Sequence, residues 1–122
     1  MHLPDREFEG RLRAAWQADT SADPDRWDCE NPSWGQCAVS ALAIQDRFGG
    51  HLLRGMTAEG SHYWNLLPGG IEVDLTAEQF KDRPATLRSE PRARAYLLSS
   101  SGTRRRYRLL SSRLTGTLQS VA

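Results

Sequence analysis

After Cys37, apolar and polar positions recur in the pattern that is typical of a helix with one buried face. The apolar residues of 38–48 fall at the three- and four-residue spacing of a helical stripe. Pro and Gly residues disfavour regular structure in 31–36, and Gly49-Gly50 ends the pattern, because glycine adopts a left-handed cap at least cost. The sequence therefore predicts a largely buried helix of about a dozen residues, with Cys37 in its first turn.

Other patterned segments predict an α+β chain built around this helix. Two short apolar runs on either side of a Pro-Gly-Gly turn predict a hairpin. In chain order we predict an amphipathic helix over 4–18, a loop over 19–36, strands over 51–56, 61–67 and 71–75, a short helix through Phe80 capped by Thr76, an irregular segment between Pro84 and Pro91, a short segment over 94–98, a Ser-Ser-Ser-Gly break, and a helix over 103–114.

The hairpin carries His62 on one arm and Asp74 on the other, and the register decides how they are related. A three-residue loop, 68–70, places them diagonally on one sheet face, within reach of each other. Pairing Leu66 with Gly70 places them directly opposite, whereas a two-residue loop places them on opposite faces. A histidine and an aspartate that share a face in an apolar hairpin indicate a chemical site.

The order Cys37, His62, Asp74 supplies the three residue types that nucleophilic acyl chemistry needs. The N-terminus of a helix favours a thiolate, the imidazole accepts the thiol proton, and the carboxylate orients the imidazole. Gln36 and the backbone N–H of Cys37 are candidate donors to an oxyanion. Each residue alone has another interpretation, as a buried thiol, a core histidine or a capping aspartate.

Three motifs resemble the YunG-like family of small bacterial proteins across about residues 27–114. They are Asn-Pro-Ser-Trp-Gly-Gln-Cys at 31–37, His-Tyr-Trp-Asn at 62–65, and Glu-Val-Asp-Leu-Thr at 72–76 followed by Gln79-Phe80. The order of the key residues is also similar to papain-like and transglutaminase-like cysteine enzymes, including NlpC/P60 peptidases. That resemblance implies a papain-like/transglutaminase-like core, in which a central helix packs on a small antiparallel sheet with flanking helices.

The same resemblance implies that Cys37, His62 and Asp74 act as a catalytic triad in a cysteine peptidase-like hydrolase or acyltransferase. Gln36 departs from the papain pattern, because it directly precedes the cysteine instead of lying several residues upstream. We therefore expect Trp34 or Trp64 to line the site in its place. The resemblance supplies no substrate beyond an amide or peptide bond.

Length and composition predict a single domain over 1–122 with no cofactor. No apolar run is long enough for a membrane span, and the N-terminus lacks the apolar core of a signal peptide, so we expect a cytoplasmic protein without a membrane partner. Two cysteines are too few for a disulfide framework, and a Cys29–Cys37 bridge would consume the candidate nucleophile. A metal site using Cys37, His62, Asp74 and His51 matches no zinc spacing, so we expect none.

The charges of the two parts of the chain are opposite. Residues 1–80 carry a net charge of −7 and residues 81–122 a net charge of +8, although the whole chain carries only +1. The basic last helix suggests an alternative function, a non-catalytic interaction module for nucleic acid or an acidic partner. We favour neutralisation of the acidic part and expect no nucleic-acid binding, because the helix lacks the interleaved aromatic residues that single-strand binders use. The sequence does not predict the oligomeric state.

Overall fold

The structure, a computed structural model, describes residues 2–80 and 88–119. Over these residues the chain is α+β, with four α-helices and a four-stranded antiparallel sheet. The elements are α1 (Arg6–Ala15), α2 (Cys37–Phe48), β1 (His51–Thr57), β2 (Gly60–Leu67), β3 (Ile71–Val73), β4 (Ser89–Arg92), α3 (Arg94–Leu98) and α4 (Ser101–Gln119), with 3-10 helices at Ala18–Thr20 and Ala77–Gln79. No helix in this described part is long and apolar enough to cross a membrane.

The central helix α2 begins and ends where the sequence predicts. Gly49 follows its last residue with a φ of 79°, and its N–H donates to the carbonyl of Gln45 at 2.8 Å. Every residue of 39–44 is buried. On one side α2 contacts the sheet, where the Asn65 side chain of β2 donates to the carbonyl of Ala41 at 3.0 Å. The predicted buried helix is confirmed.

The main core lies between α2 and the elements around it. Side chains from α1, α2, α4 and the β3 region form one buried cluster, which includes Phe8, Leu12, Trp16, Val39, Ile44, Val73, Leu75 and Leu110. The indole of Trp16 also donates to the buried Ser40 hydroxyl of α2 at 2.9 Å, which satisfies two polar groups inside this core. These contacts hold the first turn of α2 in a fixed position against the sheet.

The sheet has the order β3-β2-β1-β4, and each neighbouring pair is antiparallel. In the β2–β3 hairpin Leu67 lies opposite Ile71, which leaves residues 68–70 as the loop. Of the three registers that the sequence allows, this is the one that places His62 and Asp74 diagonally on the same face. The predicted core face of this hairpin is correct for Val73 and Leu75 but wrong for Ile71, which is 56% exposed beside the turn.

Several predicted element ends need correction. α1 is shorter than predicted, because the Asp5 carboxylate caps it by accepting the N–H of Phe8 at 3.0 Å and the chain becomes extended at Trp16. The predicted cap by Thr76, which would form a capping box with Gln79, is wrong: Thr76 makes no side-chain cap, and the residues after it form one turn of 3-10 helix. The side chain of Gln79 instead accepts from Gly35 and donates to the carbonyl of Thr76.

β4 was not predicted, because Pro91 suggested an irregular segment. Among the described strands β4 lies at the edge and pairs with β1, and at an edge the missing N–H of proline is tolerated. Pro84 lies outside the described residues. The final helix is longer than predicted: the Ser100 hydroxyl accepts the N–H of Thr103 at 3.2 Å, so α4 begins at Ser101, inside the predicted break.

Candidate active site

Cys37 is the first residue of α2 and is half-buried. The backbone N–H groups of a first helical turn have no partner within the helix, so they and the helix dipole favour negative charge there. Cys29 lies apart, exposed in the loop between α1 and α2. The structure therefore places only the first of these two thiols at a helix N-terminus.

His62 and Asp74 form a buried pair on the sheet face that the hairpin register predicts. The Nε2 atom of His62 lies 2.9 Å and 2.8 Å from the two carboxylate oxygens of Asp74. Because a carboxylate only accepts, Nε2 carries the hydrogen and Nδ1 is the basic nitrogen of the neutral ring. The His62 side chain is fully buried and that of Asp74 is 5% exposed, so water does not compete for this contact.

The charge of His62 depends on Cys37 as well as on Asp74. Burial by itself lowers the pKa of His62, but the bonds to Asp74 and the interaction with a Cys37 thiolate outweigh it and raise the pKa to about 9. Nδ1 is buried without a hydrogen-bond partner among the described residues. Cys37 nevertheless interacts with the ring and raises the pKa of His62. Catalytic contacts are often long or poorly aligned until substrate binds.

Aromatic rings enclose the imidazole of His62. Trp64 stacks on it, with centroids 5.4 Å apart, and Phe80 meets it edge-on at 4.9 Å. Trp34 lies one ring further out, 6.5 Å from Phe80. Trp64 is itself fixed by its indole N–H, which donates to Glu72 at 2.6 Å. A π-face beside the ring favours the protonated imidazolium.

Of the two tryptophans predicted to line the site, Trp64 contacts His62 directly and Trp34 contacts Phe80. The indole of Trp34 donates to Asp23 at 3.2 Å, and the guanidinium of Arg26 lies 4.4 Å from its ring. Trp34 therefore braces the loop before α2 and reaches the candidate site only through Phe80.

Gln36 is fully buried at the N-cap of α2, and its amide donates to the carbonyl of Gln17 at 2.9 Å. One N–H of this amide is thus engaged, and its Oε1 is buried without a partner among the described residues. Its role as an oxyanion donor stays a prediction. The sequence analysis missed Gln79, whose side chain accepts the N–H of Gly35 at 3.1 Å and donates to Thr76 at 3.0 Å. Gln79 thereby joins the turn before Cys37 to the segment after Asp74.

The start of α4 forms another side of the site. Thr103 of α4 lines a cavity together with Ala38 of α2, and Arg106 donates to the Thr103 hydroxyl at 3.3 Å. Burial and then the charge of Arg105 lower the pKa of Arg106. Arg106 lines a cavity of about 440 Å³ between α4 and the loop after α1. The cavity lined by Thr103 and Ala38 is a second one, of about 260 Å³, which Tyr63 also lines. The sequence analysis assigned no role to Arg106.

Comparison with known proteins identifies the family. The family model described as YunG protein matches residues 5–119. A protein of Bacillus subtilis (strain 168), named "Uncharacterized protein YunG", is 40% identical over 70 residues, so the match spans 57% of each chain, little more than half. No solved structure matches, so the likeness to papain-like enzymes gains no support from a neighbouring fold. The family model covers nearly all of the sequence, and the chain belongs to the YunG family.

Proposed function

We propose that this protein is a cysteine hydrolase or acyltransferase that acts on an amide or peptide bond, with Cys37 as the nucleophile. The observation that carries the proposal is the His62–Asp74 pair, in which the carboxylate holds Nε2 at 2.8 Å while the buried Nδ1 has no hydrogen-bond partner among the described residues. Cys37 at the start of α2, His62 on β2 and Asp74 just after β3 supply the three groups that thiol-dependent acyl chemistry requires.

In the proposed reaction His62 Nδ1 takes the thiol proton of Cys37, and the thiolate attacks the carbonyl carbon of the substrate. The C–N bond then breaks, and the leaving amine takes the proton from the imidazolium, which leaves a thioester on Cys37. Water, or an amine in a transferase, loses a proton to His62 and attacks the thioester. The acyl product then leaves as an acid or a new amide, and Cys37 regains its proton.

Asp74 supports this sequence without exchanging a proton, because its carboxylate fixes the ring tautomer and stabilises the imidazolium. The N–H of Cys37, unpaired within the helix, is the first candidate donor to the oxyanion. Gln36 is a second candidate through its remaining N–H. Trp64, which packs on His62, excludes water from one side of the ring, and Trp34 lines the outer part of the site through Phe80.

The order of the three groups is that of papain-like and transglutaminase-like enzymes, with the cysteine at a helix start, the histidine on a strand and the acid beyond the next hairpin turn. We therefore propose a distant relation to that superfamily. The helix packed against an antiparallel sheet supports this relation. The proposed substrate is an amide, and the acyl acceptor is water in a hydrolase or an amine in a transferase.

A labelling experiment tests the proposal, with Cys29 as the internal control. Iodoacetamide should modify Cys37 before Cys29 near neutral pH, measured by the mass of the two labelled peptides. Cys29 is exposed, so greater accessibility would favour it, and faster labelling of Cys37 must come from chemical activation. The negative charges of Asp28 and Glu30 also disfavour a thiolate at Cys29.

Variants of His62 and Asp74 separate the chemical activation of Cys37 from its exposure to the reagent. His62→Ala and the closer isostere His62→Gln should slow Cys37 labelling by at least about tenfold, because they remove the positive charge that favours the thiolate. Asp74→Asn should slow it less, since Asp74 only supports that charge. His51→Gln, at an exposed position of β1, is the matched control and should change nothing. A Cys37 rate indifferent to His62 would refute the proposal and favour the non-catalytic interaction module.

A further inference from the structure

The cavity beside Arg106 has the size of a ligand subsite. It measures about 440 Å³, within the range of small-molecule pockets. One wall comes from the loop after α1, including Ser21 and Ala22, and the other from α4, including Arg106 and Leu109. Arg106 also donates to the hydroxyl of Thr103, which lines the second cavity together with Ala38, the residue after the candidate nucleophile.

The cavity has unneutralised positive charge. Among its lining residues the one acidic side chain is Asp19, and both of its carboxylate oxygens are bound by Arg113 of α4. Arg113 also donates to the carbonyl of Ala15 at 3.2 Å, so its guanidinium is engaged by groups of the protein itself. The charges of Arg105 and Arg106 are therefore left without a carboxylate partner among the described residues.

Among the described residues, only some of the hydrogen-bond donors of Arg106 have a partner. Arg106 is half-buried, its Nε is buried without a partner among the described residues, and its one hydrogen bond there is a long one, 3.3 Å, to the Thr103 hydroxyl. Leaving a buried charged donor unpaired is costly, and a bound anion would offset that cost. The planar guanidinium matches a carboxylate with two parallel N–H donors, so a carboxylate is the ligand that it fits best.

We propose that Arg106 binds a carboxylate of the substrate, so that the acyl compound attacked by Cys37 is an anionic amide or peptide with a free carboxylate close to the scissile bond. This inference rests on the proposed function for the identity of the nucleophile. It adds a specificity determinant, since Arg106 acts on the carboxylate of the substrate and not on the reacting carbonyl.

Two alkylating reagents of similar size test this subsite, because they differ mainly in charge. Iodoacetate carries a carboxylate and iodoacetamide a neutral amide, and each forms a bond from Cys37 Sγ to carbon as iodide leaves. The measured quantity is the iodoacetate to iodoacetamide rate ratio at Cys37, divided by the same ratio for free cysteine. Changes in the thiolate population alter both rates equally and cancel. We expect a normalised ratio above one in the wild type, and Arg106→Gln should lower it by about tenfold.

Matched variants make the result specific to Arg106. Arg108→Gln removes the same charge from an exposed position on α4 and should leave the ratio unchanged. Arg106→Lys keeps the charge but loses the planar fork, so it should retain part of the preference. Thermal melts of each variant confirm that it is folded.

The remaining outcomes distinguish this proposal from the one on which it rests. A ratio that Arg106→Gln leaves unchanged, including the case in which both reagents slow equally, would overturn the carboxylate subsite while leaving the proposed function intact. In the second case Arg106 would stabilise only the thiolate. Slow iodoacetamide labelling that is indifferent to His62 would refute the proposed function, while the ratio would still report whether Arg106 attracts an anion.

Discussion

His62 is fully buried, yet Asp74 and Cys37 both favour the charged form of its ring. The carboxylate of Asp74 lies at Nε2, and its bonds together with the interaction with Cys37 outweigh the cost of burial and raise the pKa of His62. A buried imidazolium is stable only when paired in this way. The free energy of folding should therefore depend on the protonation of His62 in the pH range between its unfolded and folded pKa values.

We expect the free energy of unfolding to fall as the pH rises from 6.5 to 9. The pKa of His62 is raised in the folded protein, from 6.5 to about 9, so its stabilising contribution is fully present below 6.5 and is lost as the pH passes through the folded-state value. A shift of this size corresponds to about 3 kcal/mol at most. Urea unfolding at several pH values measures it.

The exposed His51 is the control for that dependence. His62→Gln should flatten the fall in unfolding free energy over this pH range, whereas His51→Gln should leave its slope unchanged. A wild-type curve that is flat between pH 6.5 and 9, or a slope that His62→Gln preserves, would show that the imidazole of His62 is neutral in the folded protein.

Among single residues, the sequence indicated the candidates whose side chains have a specific chemistry. It did not indicate the residues that surround them. Cysteine, histidine and aspartate in a fixed order limit the possible chemistry, and the hairpin turn limited their geometry to three registers. Phe80, Gln79 and Arg106 have no such signature. Their contacts with His62, Gly35 and the Cys37 region join distant parts of the chain, which local periodicity does not report.

Among the elements, the sequence predicted those whose ends are set by local chemistry. Glycines end α2 and close the β2–β3 hairpin, because both places need a positive φ. β4 was missed because its stability comes from pairing with β1, far away in sequence, and because proline usually argues against a strand. At Ala77–Gln79 the sequence predicted a short helix capped by Thr76, but the structure has one turn of 3-10 helix without that cap. The side chain of Gln79 bonds to Gly35 and Thr76.

Gly50 and Gly69 provide a matched test of how tightly α2 and the sheet are joined. Both have a positive φ, 83° and 89°, so alanine strains the backbone at either site. At Gly69 an added Cβ meets nothing within 4 Å, but at Gly50 it would lie 2.2 Å from the Leu66 carbonyl oxygen, a backbone atom of β2. We expect Gly69→Ala to cost about 1–2 kcal/mol, and Gly50→Ala roughly 1–3 kcal/mol more because of this overlap.

Urea unfolding of the two variants measures this difference, provided that the dependence on urea concentration stays the same. Equal losses of stability at the two positions would mean that the connection between α2 and β1 moves freely away from β2. The predicted close approach of helix and sheet would then be wrong at this point.

In the whole molecule, the oppositely charged parts of the chain contact each other. Arg113 of α4 binds Asp19, and Arg94 of α3 lies 2.7 Å from Asp46 of α2. These pairs are partly exposed, so each contributes little to stability. They do reduce the positive charge that the last helices present to solvent, which is the arrangement that the sequence analysis favoured.

We therefore expect no strong binding of generic nucleic acid at micromolar protein, measured by fluorescence anisotropy with a labelled duplex and a labelled single strand. Affinity for a polyanion rises with the number of arginines free to replace its counterions, and two of them are held by Asp19 and Asp46. The double variant Asp19→Asn, Asp46→Asn frees both and should bind more tightly, with an affinity that falls as salt is added. Binding by the wild type that weakens steeply with salt would contradict this expectation. It would mean that the unpaired arginines of α4, Arg105 and Arg108 among them, already form a nucleic-acid surface.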